Sequence, residues 1–222
     1  MNVETVQAQA GLRTPRAAAI AGIIFSVLLI TSLVLMRLSV PEDPRDTGRW
    51  LGGDRNQVVL ALNLVPFSGI AFLWFIGVLR DRLGVQEDRF FSTVFLGSGL
   101  LFLAMVFASS AMIGGIMLVF STTPTQPTFL DTYILGRAFA HQIMNIYAIK
   151  MAGVFMISTC TVAVRTGILP RWMAWLGFGL ALLLLVSIGL LDWIAVVFPL
   201  WVLLISVYIL LQNYRPSLPP AG

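Results

Sequence analysis

The chain has little of what soluble catalysis draws on. It contains one cysteine, Cys160, one histidine, His141, and one lysine, Lys150, and only 11% of its residues are charged. A single cysteine excludes an intramolecular disulfide and a multi-cysteine metal site. His141 and Cys160 fall on one helix-forming stretch, about 28 Å apart at the α-helical rise, so they cannot share a metal within one chain. Haem held by His141 with a methionine or a second subunit is the arrangement the composition leaves open. The expectation adopted is that no cofactor and no metal are bound.

Acids are missing where a membrane machine would need them. Every Asp and Glu lies outside the apolar runs, including Asp192 at a turn. That argues against an antiporter built on a buried carboxylate. The GxSxG, HExxH, Walker and glycine-rich dinucleotide patterns are absent too. The chain is therefore expected not to be an enzyme.

Apolar residues are what the chain has in quantity. They make up 58% of it, against roughly 45–50% in soluble domains. Several runs exceed the roughly 18 residues of a membrane-spanning helix. Hydrocarbon offers no partner to an open backbone group, so such spans must be helical. The fold class expected is all-α, an integral membrane bundle of six transmembrane helices. It forms one domain, 17–211, between a polar tail at 1–16 and a short proline-rich tail at 212–222, which is expected to be disordered.

The first run, Ala17 to Met36, is 20 residues long and leaves through RLSVPEDP. A signal peptide has a shorter apolar core and a small-residue cleavage site, so the run is read as an uncleaved span. The second span is Val58 to Val78, with Pro66 expected to kink it. The third run, Phe90 to Phe120, is longer than one crossing needs. The fourth is placed at Asn145 to Val164, with Asp131 to Met144 as an extension beyond it and Asp131 as its cap. The overlong third and fourth segments are expected to form one protruding hairpin. The fifth span is Met173 to about Gly189, and the sixth about Ile194 to Leu211. Small residues four apart predict close helix contacts at Ala18/Gly22/Ser26, Ala104/Ala108, Ser110/Gly114 and Ala111/Gly115.

The net charge of +4 comes from arginines in short loops. Charge placed there sets topology and attracts anionic lipid; no clustered basic face points to nucleic acid. With six spans, Arg13, Arg16, Arg80, Arg82, Arg89, Arg165, Arg171 and Arg215 share one side. Arg37, Arg45, Arg49, Arg55 and Arg137 share the other. The positive-inside rule then puts both termini in the cytoplasm of a cell whose inner (plasma) membrane the chain crosses.

The richest polar chemistry lies on the fourth segment. Arg137, His141 and Asn145 follow one another at i, i+4 and make a stripe, with Gln142, Ile146 and Lys150 beside it. Polar groups inside a membrane are costly and usually face a cavity. One reading is therefore a polar substrate vestibule between the second and fourth spans, lined by Asn63, Arg137, His141, Asn145 and Lys150, with Ser68 nearby. The other is that this half-helix lies at the headgroups, with Lys150 snorkelling to the interface. Cys160 reads as a small buried hydrophobe.

Three segments carry a resemblance: LNLVPFSGIAFLWFIGVLRDRLG (62–84), EDRFFSTVFLGSGLLF (87–102) and NIYAIKMAGVFMISTCTVAVRTGILPRWMAWLGF (145–178). They resemble uncharacterised six-span bacterial membrane proteins over the second to fifth spans. The resemblance implies class and location and carries over no catalytic residue. Two functions follow from the sequence. The first is a non-enzymatic membrane subunit or helper that binds the bilayer and either another membrane protein or a second copy of itself. The second is a small-solute or ion permease that uses the polar vestibule.

Overall fold

The computed structural model describes residues 3–41, 55–83, 89–122, 128–167, 169–187 and 193–214, all of the regular structure among them helical. The helices are α1 (Val3–Ser39), α2 (Arg55–Leu83), α3 (Arg89–Thr122), α4 (Thr128–Gln142), α5 (Ile149–Thr166), α6 (Arg171–Val186) and α7 (Ile194–Tyr214). A π-helical turn, Ile143–Ala148, joins α4 to α5, so the two form one rod. The readings made for the loop after Pro41, the turn after α2 and the tail after Tyr214 fall outside the described residues.

Among the described residues, five rods are long and apolar enough to cross a membrane: Arg16–Ser39, Arg55–Arg80, Ser92–Val119, Asp131–Thr166 and Ile194–Gln212. The expected fifth span is shorter. Helix α6 has 16 residues, about 24 Å of rise against a hydrocarbon core of roughly 30 Å. It stops where Ser187 turns to an extended backbone.

Two other boundaries differ from expectation. Helix α1 starts at Val3, so the segment read as a polar tail is continuous with the first span. Helix α4 starts at Thr128, which puts Asp131 in the first turn and not at the cap. A carboxylate there still meets the positive end of the helix dipole.

Helix α1 lies between α2 and α7, and α5 lies between α3 and α6; contacts of α2 with α3 and of α5 with α7 join the two rows. The buried face of α2 shows how the pattern works. Val58, Ala61, Val65, Ser68, Phe72, Phe75 and Leu79 face inward at alternating steps of three and four, with Ile76 beside them. Phe67 and Trp74, 62% and 68% exposed, point outward. Large apolar side chains on the outside are what lipid, and not water, tolerates over a broad surface.

Little of the binding between helices in lipid is hydrophobic in origin; packing and interhelical hydrogen bonds supply it. Both are present. The Ala18/Gly22/Ser26 face is buried, and a Cβ on Gly22 would run into Ser206 and the Phe75 ring. Ser32 Oγ donates to the Ala61 carbonyl at 2.8 Å, and Ser109 Oγ to the Ala140 carbonyl at 2.9 Å. The first bond ties α1 to α2, the second α3 to α4.

The centre is a phenylalanine cluster supplied by five helices. Phe72 of α2 sits 4.5 Å from Phe25 of α1 and 5.4 Å from Phe155 of α5, ring centre to ring centre. Phe198 of α7 lies 4.7 Å from Phe102 of α3. Each such aromatic pair adds about 0.5–1.5 kcal/mol beyond the area it buries. A second, smaller core of Val58, Ile113, Ile116, Met117, Tyr133 and Ala140 joins the far ends of α2, α3 and α4, with Met36 of α1 and Val40 just past its end against it. The overlong third and fourth segments do pair, and the ends of α1 and α2 brace them.

Candidate functional site

The polar stripe of α4 opens onto a cavity of about 160 Å³, room for several waters or one small ligand. Its walls come from the end of α1, the middle of α3, the α4–π junction and the first turn of α7. Arg37, Ser109, Arg137, His141, Asn145 and Trp193 supply its polar and aromatic groups; Leu33, Met36, Ile113, Met144 and Val196 supply the apolar remainder. No carboxylate lines it among the described residues.

Arg137 is the anchor of the site. It is only 7% exposed, and its guanidinium donates to the Tyr133 hydroxyl at 3.1 Å and to the Pro41 carbonyl just past α1. The cation also lies 5.6 Å from the centre of the Tyr133 ring, within cation–π range. A buried charge is held this way by several partners at once. One turn on, Asn145 Nδ2 and His141 Nδ1 lie 3.1 Å apart, so the i, i+4 stripe is realised as a pair of polar side chains at the mouth.

Asn145 belongs to the π turn, which runs directly along the cavity wall. A π turn inserts one residue into a helix, widens it locally and is common at functional sites. Just ahead of it, the Ala140 carbonyl takes its hydrogen bond from Ser109 on the neighbouring helix.

Three of the five residues read as vestibule lining, Arg137, His141 and Asn145, thus meet in one cavity. Asn63 and Lys150 do not line it. The cavity also lies between α1, α3, α4 and α7, and not between the second and fourth spans. The reason is the facing of α2. Its inward stripe passes through Ala61 and Val65, so Asn63 is turned to the exposed side, and Ser68 donates to the Val65 carbonyl of its own helix at 2.7 Å. Lys150 is half-buried beyond the π turn, next to the buried Ile149.

Arg37, Ser109 and Trp193 were not among the residues the sequence singled out. Arg37 was legible in principle, since an even number of spans puts the end of α1 on the same side as Arg137. Trp193 and Ser109 reach the site only through packing of helices distant in sequence. Cys160, read as a buried hydrophobe, is buried against Gly177 on α6.

The chemistry on offer is recognition. Cationic and hydrogen-bonding groups suit an anionic or acceptor-rich moiety, with Met36 and Trp193 against its apolar part. Among the described residues no three His, Cys, Asp or Glu side chains come together as a metal site would require. No family model matches the chain, and no curated protein or solved structure is similar to it.

Proposed function

We propose that the chain is a six-span protein of the bacterial plasma membrane, both termini cytoplasmic, that acts as a non-enzymatic subunit or helper by binding another membrane-embedded chain. The observation that carries this reading is the outer face of α3. Ala104, Ala108, Ala111 and Gly115 follow one another at steps of four, three and four, and all four are exposed. A Cβ added to Gly115 meets nothing. Small residues at this spacing let a second backbone approach closely, and among the described residues no helix packs onto all four of them. Grooves of about 300 and 430 Å³ flank the ridge, one lined by Pro66, Phe107 and Ser110, the other by Met112, Gly136 and Phe139.

Permeation is the second reading, favoured by the π turn at the polar cavity. Against it, the phenylalanine cluster fills the bundle below. The reading of α6 as the remaining span accords with its composition, RWMAWLGFGLALLLLV, which has one charge at its end.

The experiment is site-specific photo-crosslinking in native membranes. A photoreactive residue at Ala111 or Gly115 is expected to yield a discrete adduct with a second membrane chain, and one at lipid-facing Trp74 none. Adducts missing at both α3 positions, together with solute flux into vesicles holding the purified chain, would contradict the helper reading in favour of the permease.

A further inference from the structure

A second basic cavity lies at the other end of the bundle, where α5 gives way to α6. Arg165 closes the last turn of α5. Gly167 follows with φ +67, the left-handed conformation that ends a helix with least strain when the residue is glycine. Pro170 then caps α6, and Arg171 is its first residue. So tight a turn brings both arginines to the lining of one cavity of about 450 Å³, whose other walls are Thr161, Val164, Trp175 and Phe178.

The two halves of this cavity differ in character. One is formed by the two arginines and by Thr161, whose hydroxyl donates to the Ile157 carbonyl at 2.8 Å and keeps its lone pairs for accepting only. The other is an apolar wall in which the Trp175 and Phe178 rings lie 6.0 Å apart. Trp175 is 72% exposed, and Trp172 stands exposed on the preceding turn. Among the described residues no acid lines the cavity. Tryptophans at a helix end beside arginines mark the boundary between headgroups and hydrocarbon.

We infer that this cavity is a binding site for one anionic phospholipid. Its phosphodiester lies between the Arg165 and Arg171 guanidiniums, whose planar forks match phosphate oxygens. Its acyl chain runs along Val164, Trp175 and Phe178. The charge selects an anionic headgroup over a zwitterionic one, and the apolar wall selects a lipid over a free phosphate ester. Basic pockets between helices on the cytoplasmic side are suited to such headgroups. The site also lies along the first turns of α6, whose 16 residues fall short of a full crossing.

The test is native mass spectrometry of the full chain in detergent, titrated with phosphatidylglycerol, phosphatidylcholine and soluble glycerol phosphate. One phosphatidylglycerol is expected to stay bound where phosphatidylcholine leaves, and glycerol phosphate at equal concentration is expected not to displace it. Each arginine near a membrane surface contributes about fivefold in affinity, so Arg165→Gln with Arg171→Gln should lose roughly 25-fold. Arg80→Gln, on the same side but outside the cavity, should lose nothing. Trp175→Ala removes part of the apolar wall without touching charge and should weaken phosphatidylglycerol alone. It keeps the question answerable if the double variant fails to fold. Equal retention of both lipids, an equal loss in Arg80→Gln, or displacement by glycerol phosphate would overturn the assignment.

Discussion

At the scale of single residues, glycines separate what is packed from what stands open. A Cβ on Gly177 would overlap Cys160 Sγ and stand 2.8 Å from Trp201 Nε1. Neither neighbour has a flexible end to move. Gly177→Ala is expected to cost about 2 kcal/mol, the usual range for overpacking a core, read as a lower Tm of the purified chain in detergent. Gly115→Ala, with nothing near its Cβ, is expected to change the Tm of the isolated chain by no more than about 0.5 kcal/mol equivalent. Sequence spacing treats the two alike; only the placement of neighbours distinguishes them.

Lys150 belongs to the same scale. It is half-buried and lies outside the polar cavity, and a lysine stem can carry its ammonium some 6 Å toward an interface. Lys150→Met is therefore expected to leave the fold intact, with a Tm equal to or above that of the parent chain. A large loss of stability would mean that the ammonium serves as a buried partner to another polar group.

At the scale of elements, the α4–π–α5 rod organises the molecule. Its polar half forms the cavity wall, its apolar half carries Phe155 into the central cluster, and the π turn sits between them. Ser109 holds the rod at that junction. Ser109→Ala should cost about 0.6–1 kcal/mol, the value of one interhelical hydrogen bond in a membrane. It should also speed amide exchange in Ile143–Ala148 relative to the end of α5. Uniform exchange along the rod in both forms would show that the bond does not pin the turn.

The rod also shows where the sequence was legible. Its two halves stand out in composition, since polar groups at i, i+4 and a long apolar run obey local rules that need no partner. The i, i+4 pairing of His141 with Asn145 was readable for that reason. The π turn was not, because the residues IMNIYA carry no local mark of an inserted residue. The same holds for Asn63. Its residue type suggested lining, but its facing is decided by the inward stripe of α2, two residues to either side. The buried Ala18/Gly22/Ser26 face was readable, whereas the Ala111/Gly115 face carries the same pattern and is exposed among the described residues.

At the scale of the whole molecule, the account turns on a count of crossings. Among the described residues five rods qualify by length and composition, and α6 falls short by a turn or two. If α6 crosses, the arginine balance of eight against five holds, the polar cavity of Arg37 and Arg137 opens away from the cytoplasm, and the Arg165/Arg171 cavity faces the cytoplasm. If it does not, the two ends of the chain lie on opposite sides and the two cavities cannot be assigned to these faces. Locating the end of α7 decides the matter. A paired reporter is fused after Tyr214, a fluorescent protein that matures only in the cytoplasm and a phosphatase active only outside it. The account predicts bright fluorescence and no phosphatase activity, matching the same pair fused ahead of Val3. Phosphatase activity after Tyr214 with a cytoplasmic amino terminus would contradict it.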